Sequence, residues 1–149
     1  MRIILITSLF VLLNLNSCLQ DTPKETKIVL DPVLTGYWTG EAQFINVDLN
    51  AELGKVPIKI SISEENTIRG SFGEAKLSNG TMTLEDGRFD LVAHLDGMIN
   101  SEFGLYKRFV VIFGTIPVGN DINAEFHLKS NLFFDFSMRQ GGVDLVKND

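Results

Sequence analysis

In the segment VPIKISIS the aliphatic residues Val56, Ile58, Ile60 and Ile62 alternate strictly with Pro57, Lys59, Ser61 and Ser63. A period of two puts one set on each face of an extended strand, whereas a helical face repeats every 3.6 residues. The same alternation returns in RFDLVAHL (Arg88 to Leu95) and INAEFHLK (Ile122 to Lys129). No stretch carries a helical period; the best candidate, Val47 to Leu53, allows hardly two turns. The chain is therefore expected to be all-β.

Between the alternating segments stand the pairs Asn79-Gly80, Asp86-Gly87, Asp96-Gly97, Gly119-Asn120 and Gly141-Gly142. Such pairs tolerate the positive φ angles of tight hairpin turns and predict an antiparallel meander. The strands read as Tyr37 to Ile45, Val56 to Glu64, Thr67 to Phe72, Glu74 to Ser78, Thr81 to Glu85, Arg88 to Leu95, Met98 to Phe103, Lys107 to Ile116, Ile122 to Lys129, Leu132 to Met138 and Val143 to Lys147. Some neighbours join as one bent strand, leaving about eight to ten. A meander of that size closes most economically into a barrel, which removes exposed edges; a two-sheet sandwich is the other solution.

The apolar phase of each strand marks the expected interior: Trp38, Gly40, Ala42, Phe44; Val56, Ile58, Ile60, Ile62; Ile68, Gly70, Phe72; Met82, Leu84; Phe89, Leu91, Ala93, Leu95; Ile122, Ala124, Phe126, Leu128; and Leu132, Phe134, Phe136, Met138. The opposite phase carries Lys59, Arg69, Asp90, His94, Glu125, His127, Lys129 and Asp135. RFVVIFG, Arg108 to Gly114, is instead apolar on both faces. Such a strand is covered outside by the tether or a loop, or marks a contact with a partner or a second copy.

The N-terminus has a different character. Arg2 precedes the apolar run Ile3 to Leu13, the pattern of a signal peptide and shorter than the roughly 20 apolar residues of a membrane span. It ends in Leu15-Asn16-Ser17-Cys18, which resembles a bacterial lipobox, where the cysteine becomes the first mature residue and carries acyl chains. The chain has 1 Cys, so no internal disulfide competes for it. Residues 1–17 are thus expected to be a lipoprotein signal peptide, 18–33 the acylated Cys18 and a tether, and 34–149 one domain. The resemblance implies attachment to a bacterial cell envelope, at the outer membrane or cell surface.

At the start of the first strand stands LTGYWTGEAQF, with Gly36-Tyr37-Trp38. It resembles the Gly-x-Trp opening of lipocalins and their calycin relatives, in which the tryptophan plugs the closed end of an antiparallel barrel. In that family a basic residue of the last strand packs across the tryptophan. Lys147, on the apolar phase with Val143 and Leu145, is the first candidate here and Arg139 the second. Lipocalins carry a helix before their last strand, and nothing between Lys129 and Val143 reads as one. Fatty-acid-binding barrels carry a helical lid that Asn46 to Lys55 is too short to form. The resemblance carries the barrel, and no member's ligand.

Catalytic signals are thin. The histidines, His94 and His127, fall on separate strands and on the polar phase, where solvated surface residues are expected rather than metal ligands or a general base. Glu64-Glu65 and Glu85-Asp86 sit at strand ends as charged turns, and the glycines around Gly70, Gly73 and Gly80 are not spaced as a dinucleotide fingerprint. Neither an enzyme nor a bound cofactor or metal is expected. The net charge of -6, without a basic cluster, argues against nucleic-acid binding. Two readings remain open. In the first, the barrel binds a small apolar ligand among Trp38, Phe44, Phe72, Phe89, Phe126, Phe134 and Phe136. In the second, the barrel is filled by its own side chains and acts as an interaction module for an envelope protein or glycan, with Arg108 to Gly114 as the contact.

Overall fold

The computed structural model describes residues 32–46, 48–100, 104–132 and 137–148. They form eight strands: β1 (Gly36–Asn46), β2 (Ala51–Ile62), β3 (Ile68–Phe72), β4 (Ala75–Glu85), β5 (Arg88–Asn100), β6 (Gly104–Thr115), β7 (Asp121–Lys129) and β8 (Ser137–Asn148). Each pairs antiparallel with the next, and β1 pairs with β8 from Tyr37 opposite Asn148 to Ile45 opposite Gln140. The meander therefore closes on itself as a barrel, not as a sandwich. Cys18, the signal peptide, most of the tether, Phe134 and Phe136 lie outside the described residues.

The turn pairs divide into those that turn and those that do not. Asp86-Gly87 has φ of 48° and 76°, and β4 and β5 pair right up to Glu85 opposite Arg88. Both angles are positive, as a two-residue hairpin requires. Gly119-Asn120 lies in the longer connection between β6 and β7. The remaining three correct the sequence reading, because each lies inside a strand.

Asn79-Gly80 sits within β4, where Ser78 faces His94 and Thr81 faces Val92, so both residues oppose Ala93 alone. This is a β-bulge, and Asn79 with φ 51° uses the same left-handed freedom that a turn would use. Asp96-Gly97 continues β5 against β6, and the strand runs on to Ile99, which is buried. Gly141-Gly142 lies in the middle of β8, so the strand expected from Val143 already runs from Ser137. Leu132 stands in a turn before it and is 42% exposed, against its expected inward place.

Apart from Leu132, and leaving aside Met138, whose side chain lies outside the described ones, the described residues of the inner sets follow the expected phase. Trp38, Ala42 and Phe44 on β1, Val56 to Ile62 on β2, Phe89 to Leu95 on β5 and Ile122 to Leu128 on β7 supply most of one buried cluster. Leu34, Ile68, Phe72, Ala75, Leu77, Met82, Ile99, Val110, Ile112, Val143 and Leu145 complete it. No polar or charged residue is buried among the described residues. At roughly 1.5–3 kcal/mol for each large apolar side chain removed from water, this core is the main favourable term holding the barrel closed.

Candidate functional site

The interior was the first candidate. Trp38, Phe44, Phe72 and Phe126 are each 0% exposed, and Phe89 is 2% exposed. Walls of an open cavity would present surface to water-sized space, and these rings present essentially none. Phe44 meets Phe126 edge-on at 5.0 Å, Phe126 meets Phe72 at 5.0 Å, and Phe44 meets Phe72 at 5.9 Å between centroids. Edge-to-face contacts in this range are favourable beyond the area they bury.

Gly141 makes this cluster possible. It lies opposite Phe44 on β1 and Phe126 on β7, so the inner row reads Phe44, Gly141, Phe126. A methyl group there would overlap the Gln43 carbonyl oxygen and stand 2.8 Å from Phe126 Cε1. The two rings meet across the space that Gly141 leaves empty. Gly114 serves Phe89 in the same way, where a methyl would stand 3.3 Å from the ring.

Trp38 closes the other end. Its indole Nε1 donates to the Leu34 carbonyl oxygen at 2.9 Å, and Lys147 Nζ lies 5.6 Å from the ring centroid. The ammonium also donates to the carbonyl oxygens of Val33 at 3.1 Å and Pro32 at 3.4 Å. Gly36, with φ 125°, passes beneath this side chain, and a methyl there would stand 2.9 Å from Lys147 Cε. Gly36, Trp38 and Lys147 thus form one closure that folds the entering chain over the barrel end. Arg139, the second candidate, is exposed and stands opposite Leu128 near the start of β8, at the end of the strand away from Trp38.

The outer face of β5, β6 and β7 is different. On β6, Val110 and Ile112 point into the core, while Phe109, Val111 and Phe113 point outward and are only partly covered. Cross-strand register sets out three outer rows: His94, Phe109 and Lys129; Val92, Val111 and His127; Asp90, Phe113 and Glu125. The imidazoles lie against phenylalanine edges, His94 on Phe109 at 5.6 Å and His127 on Phe113 at 5.0 Å between centroids. Thr83, Asp90, Val92, Val111, Phe113, His127, Lys129 and Leu132 line an open groove of about 510 Å³ along this face.

The histidines are therefore not freely solvated, which corrects the sequence reading. Burial holds the His127 pKa below its ordinary 6.5, Lys129 adds to the effect, and Glu125 partly opposes it. Among the described residues no group of three or more His, Cys, Asp or Glu side chains is placed to hold a metal ion. Sequence alternation located Phe109, Val111 and Phe113 as a two-faced strand; it missed Val92 and the groove, because neighbouring strands supply them only through register.

Comparison with protein-family models, with curated proteins and with solved structures gives no match to this chain.

Proposed function

We propose that this chain is a lipid-anchored protein of a bacterial cell envelope, in which a barrel filled by its own aromatic core carries a protein-docking face on the outside of β5, β6 and β7. One observation carries the reading: the apolar side chains on that face, Phe109, Val111, Phe113 and Val92, are ringed by Asp90, Glu125, Lys129 and two histidines. An apolar centre with a charged rim is the usual anatomy of a protein interface. The interior reading is less favoured, since a ligand there would have to part rings that are 0% exposed. The anchor rests on Leu15-Asn16-Ser17-Cys18 and on a tether rich in charge and proline. Several acyl chains at about 0.8 kcal/mol per buried methylene would give lasting attachment.

Native and denatured mass spectrometry of the full chain from its host's envelope tests both parts. The expected result is a covalent acyl mass that Cys18→Ala removes, no non-covalent small molecule, and cross-links to envelope protein that Val111→Glu abolishes. A small apolar molecule released on denaturation overturns the filled barrel. An unmodified Cys18 overturns the anchor.

A further inference from the structure

The charges on the docking face are not scattered. At the end of the face where β7 finishes stand His94 and Lys129, and at the other end stand Asp90 and Glu125. Between them runs the uncharged row of Val92, Val111 and neutral His127. The three central rows place Lys129 at one end and two carboxylates at the other with an apolar middle, and on β5 Asp96 lies beyond His94 and Arg88 beyond Asp90.

Two copies of such a face can pack by a two-fold axis in either of two directions. If the axis runs along the strands, β5 lies over β7 of the second copy, His94 meets Lys129 and Asp90 meets Glu125. Carboxylate then opposes carboxylate, and Lys129 meets no carboxylate of these rows. If the axis runs across the strands, through the row of Val92 and Val111, each strand lies antiparallel over its own counterpart. Lys129 then faces Glu125 of the second copy, His94 faces Asp90, and Phe109 faces Phe113. Further along β5, Arg88 faces Asp96 of the second copy, because they stand equally far from Val92 on the outer phase. All these relations follow from one operation, and each is complementary.

We infer that the partner of this face is a second copy of the chain, docked antiparallel, β6 over β6, about a two-fold axis through Val111. The inference rests on the docking-face reading above and specifies its occupant. A two-fold contact is self-complementary by construction, and this pattern is complementary under one such operation and repulsive under the other. The patch spans few strands and is small against the roughly 800 Å² per partner of a stable interface. A weak dimer follows in solution. Acylation at Cys18 would confine both copies to one surface and raise their effective concentration.

The test uses the full chain in its own membrane and a bismaleimide whose reach matches the roughly 10 Å between packed sheets. Val111→Cys is expected to give a cross-linked dimer, while wild type and Val118→Cys, in the loop between β6 and β7, give none. In the Val111→Cys background, Lys129→Glu is expected to lower cross-linking about tenfold, as juxtaposed like charges do. Adding Glu125→Lys to it is expected to restore the yield. A dimer whose yield ignores both reversals overturns the antiparallel arrangement. If the Val111→Cys thiol captures a different envelope protein and no second copy, the dimer is overturned and the docking face stands. If it captures no protein at all while the variant remains folded, both fall.

Discussion

Lys147 Nζ stands 5.6 Å from the centroid of the Trp38 ring while donating to the Val33 and Pro32 carbonyl oxygens. One side chain therefore joins the last strand, the first strand and the segment that enters the barrel. Lys147→Met keeps the aliphatic stem and removes the charge, and is expected to cost about 1–2 kcal/mol. The measurement is the urea midpoint of the full chain. An unchanged midpoint would show that the ammonium contributes only exposed contacts.

Asn66 extends the pairing beside the short strand β3. Its Nδ2 donates to the Met82 carbonyl oxygen at 2.9 Å, and its Oδ1 accepts from the Met82 backbone N–H at 2.9 Å. The side chain thus continues the ladder on β4 beyond the point where β3 begins at Ile68. Asn66→Ala leaves both backbone groups without these partners and is expected to destabilise by roughly 1–3 kcal/mol. Asn66→Asp keeps the acceptor and loses the donor, so it should fall between the two. Hydrogen exchange at the Met82 amide reads the effect locally: faster exchange is expected in Asn66→Ala, and unchanged protection there would refute the assignment.

The architecture was legible wherever alternation was strict. Val56 to Ile62, Phe89 to Leu95 and Ile122 to Leu128 keep one phase over a whole strand, and the structure buries that phase. The turns were legible less often, because Asn-Gly and Gly-Gly report only that the backbone can adopt a special geometry or needs space. Asp86-Gly87 spends that freedom on a hairpin, Asn79-Gly80 on a bulge, and Gly141 on room for Phe126. Only the register separates these uses, and register is a property of two strands. The outer face was half legible for the same reason: Arg108 to Gly114 showed an apolar outside, while the grouping of its charges appeared only when β5 and β7 were set beside it.

Gly141 offers a direct check on the packing of the interior. A methyl group at this site meets a backbone oxygen of β1 as well as the Phe126 ring, and the backbone cannot swing aside as a side chain can. Overpacking of this kind costs typically about 1–3 kcal/mol, and more where the backbone must move. Gly141→Ala is expected to lower the melting temperature by several degrees or more. Pairing it with Phe126→Leu should not rescue it fully, since the clash with the Gln43 carbonyl oxygen remains. Full rescue would place the constraint on the ring alone.

His127 gives the docking face a response to acid. The folded pKa of His127 lies below 6.5 through burial, with Lys129 adding and Glu125 opposing; the Phe113 ring lies against the imidazole, Gln140 flanks it on β8, and Asp90 lines the same groove. The unfolded chain therefore takes up the proton first. His127 contributes full stability above pH 6.5, and that contribution is lost as pH falls through the lower folded value. In the antiparallel pair His127 also faces its own counterpart across the two-fold axis, so protonation sets like charges together. Cross-linking through Val111→Cys is therefore expected to weaken on acidification below pH 6.5, and His127→Gln in the same background is expected to remove that weakening. If the His127→Gln protein weakens as much as the parent, the imidazole does not stand where the antiparallel arrangement puts it.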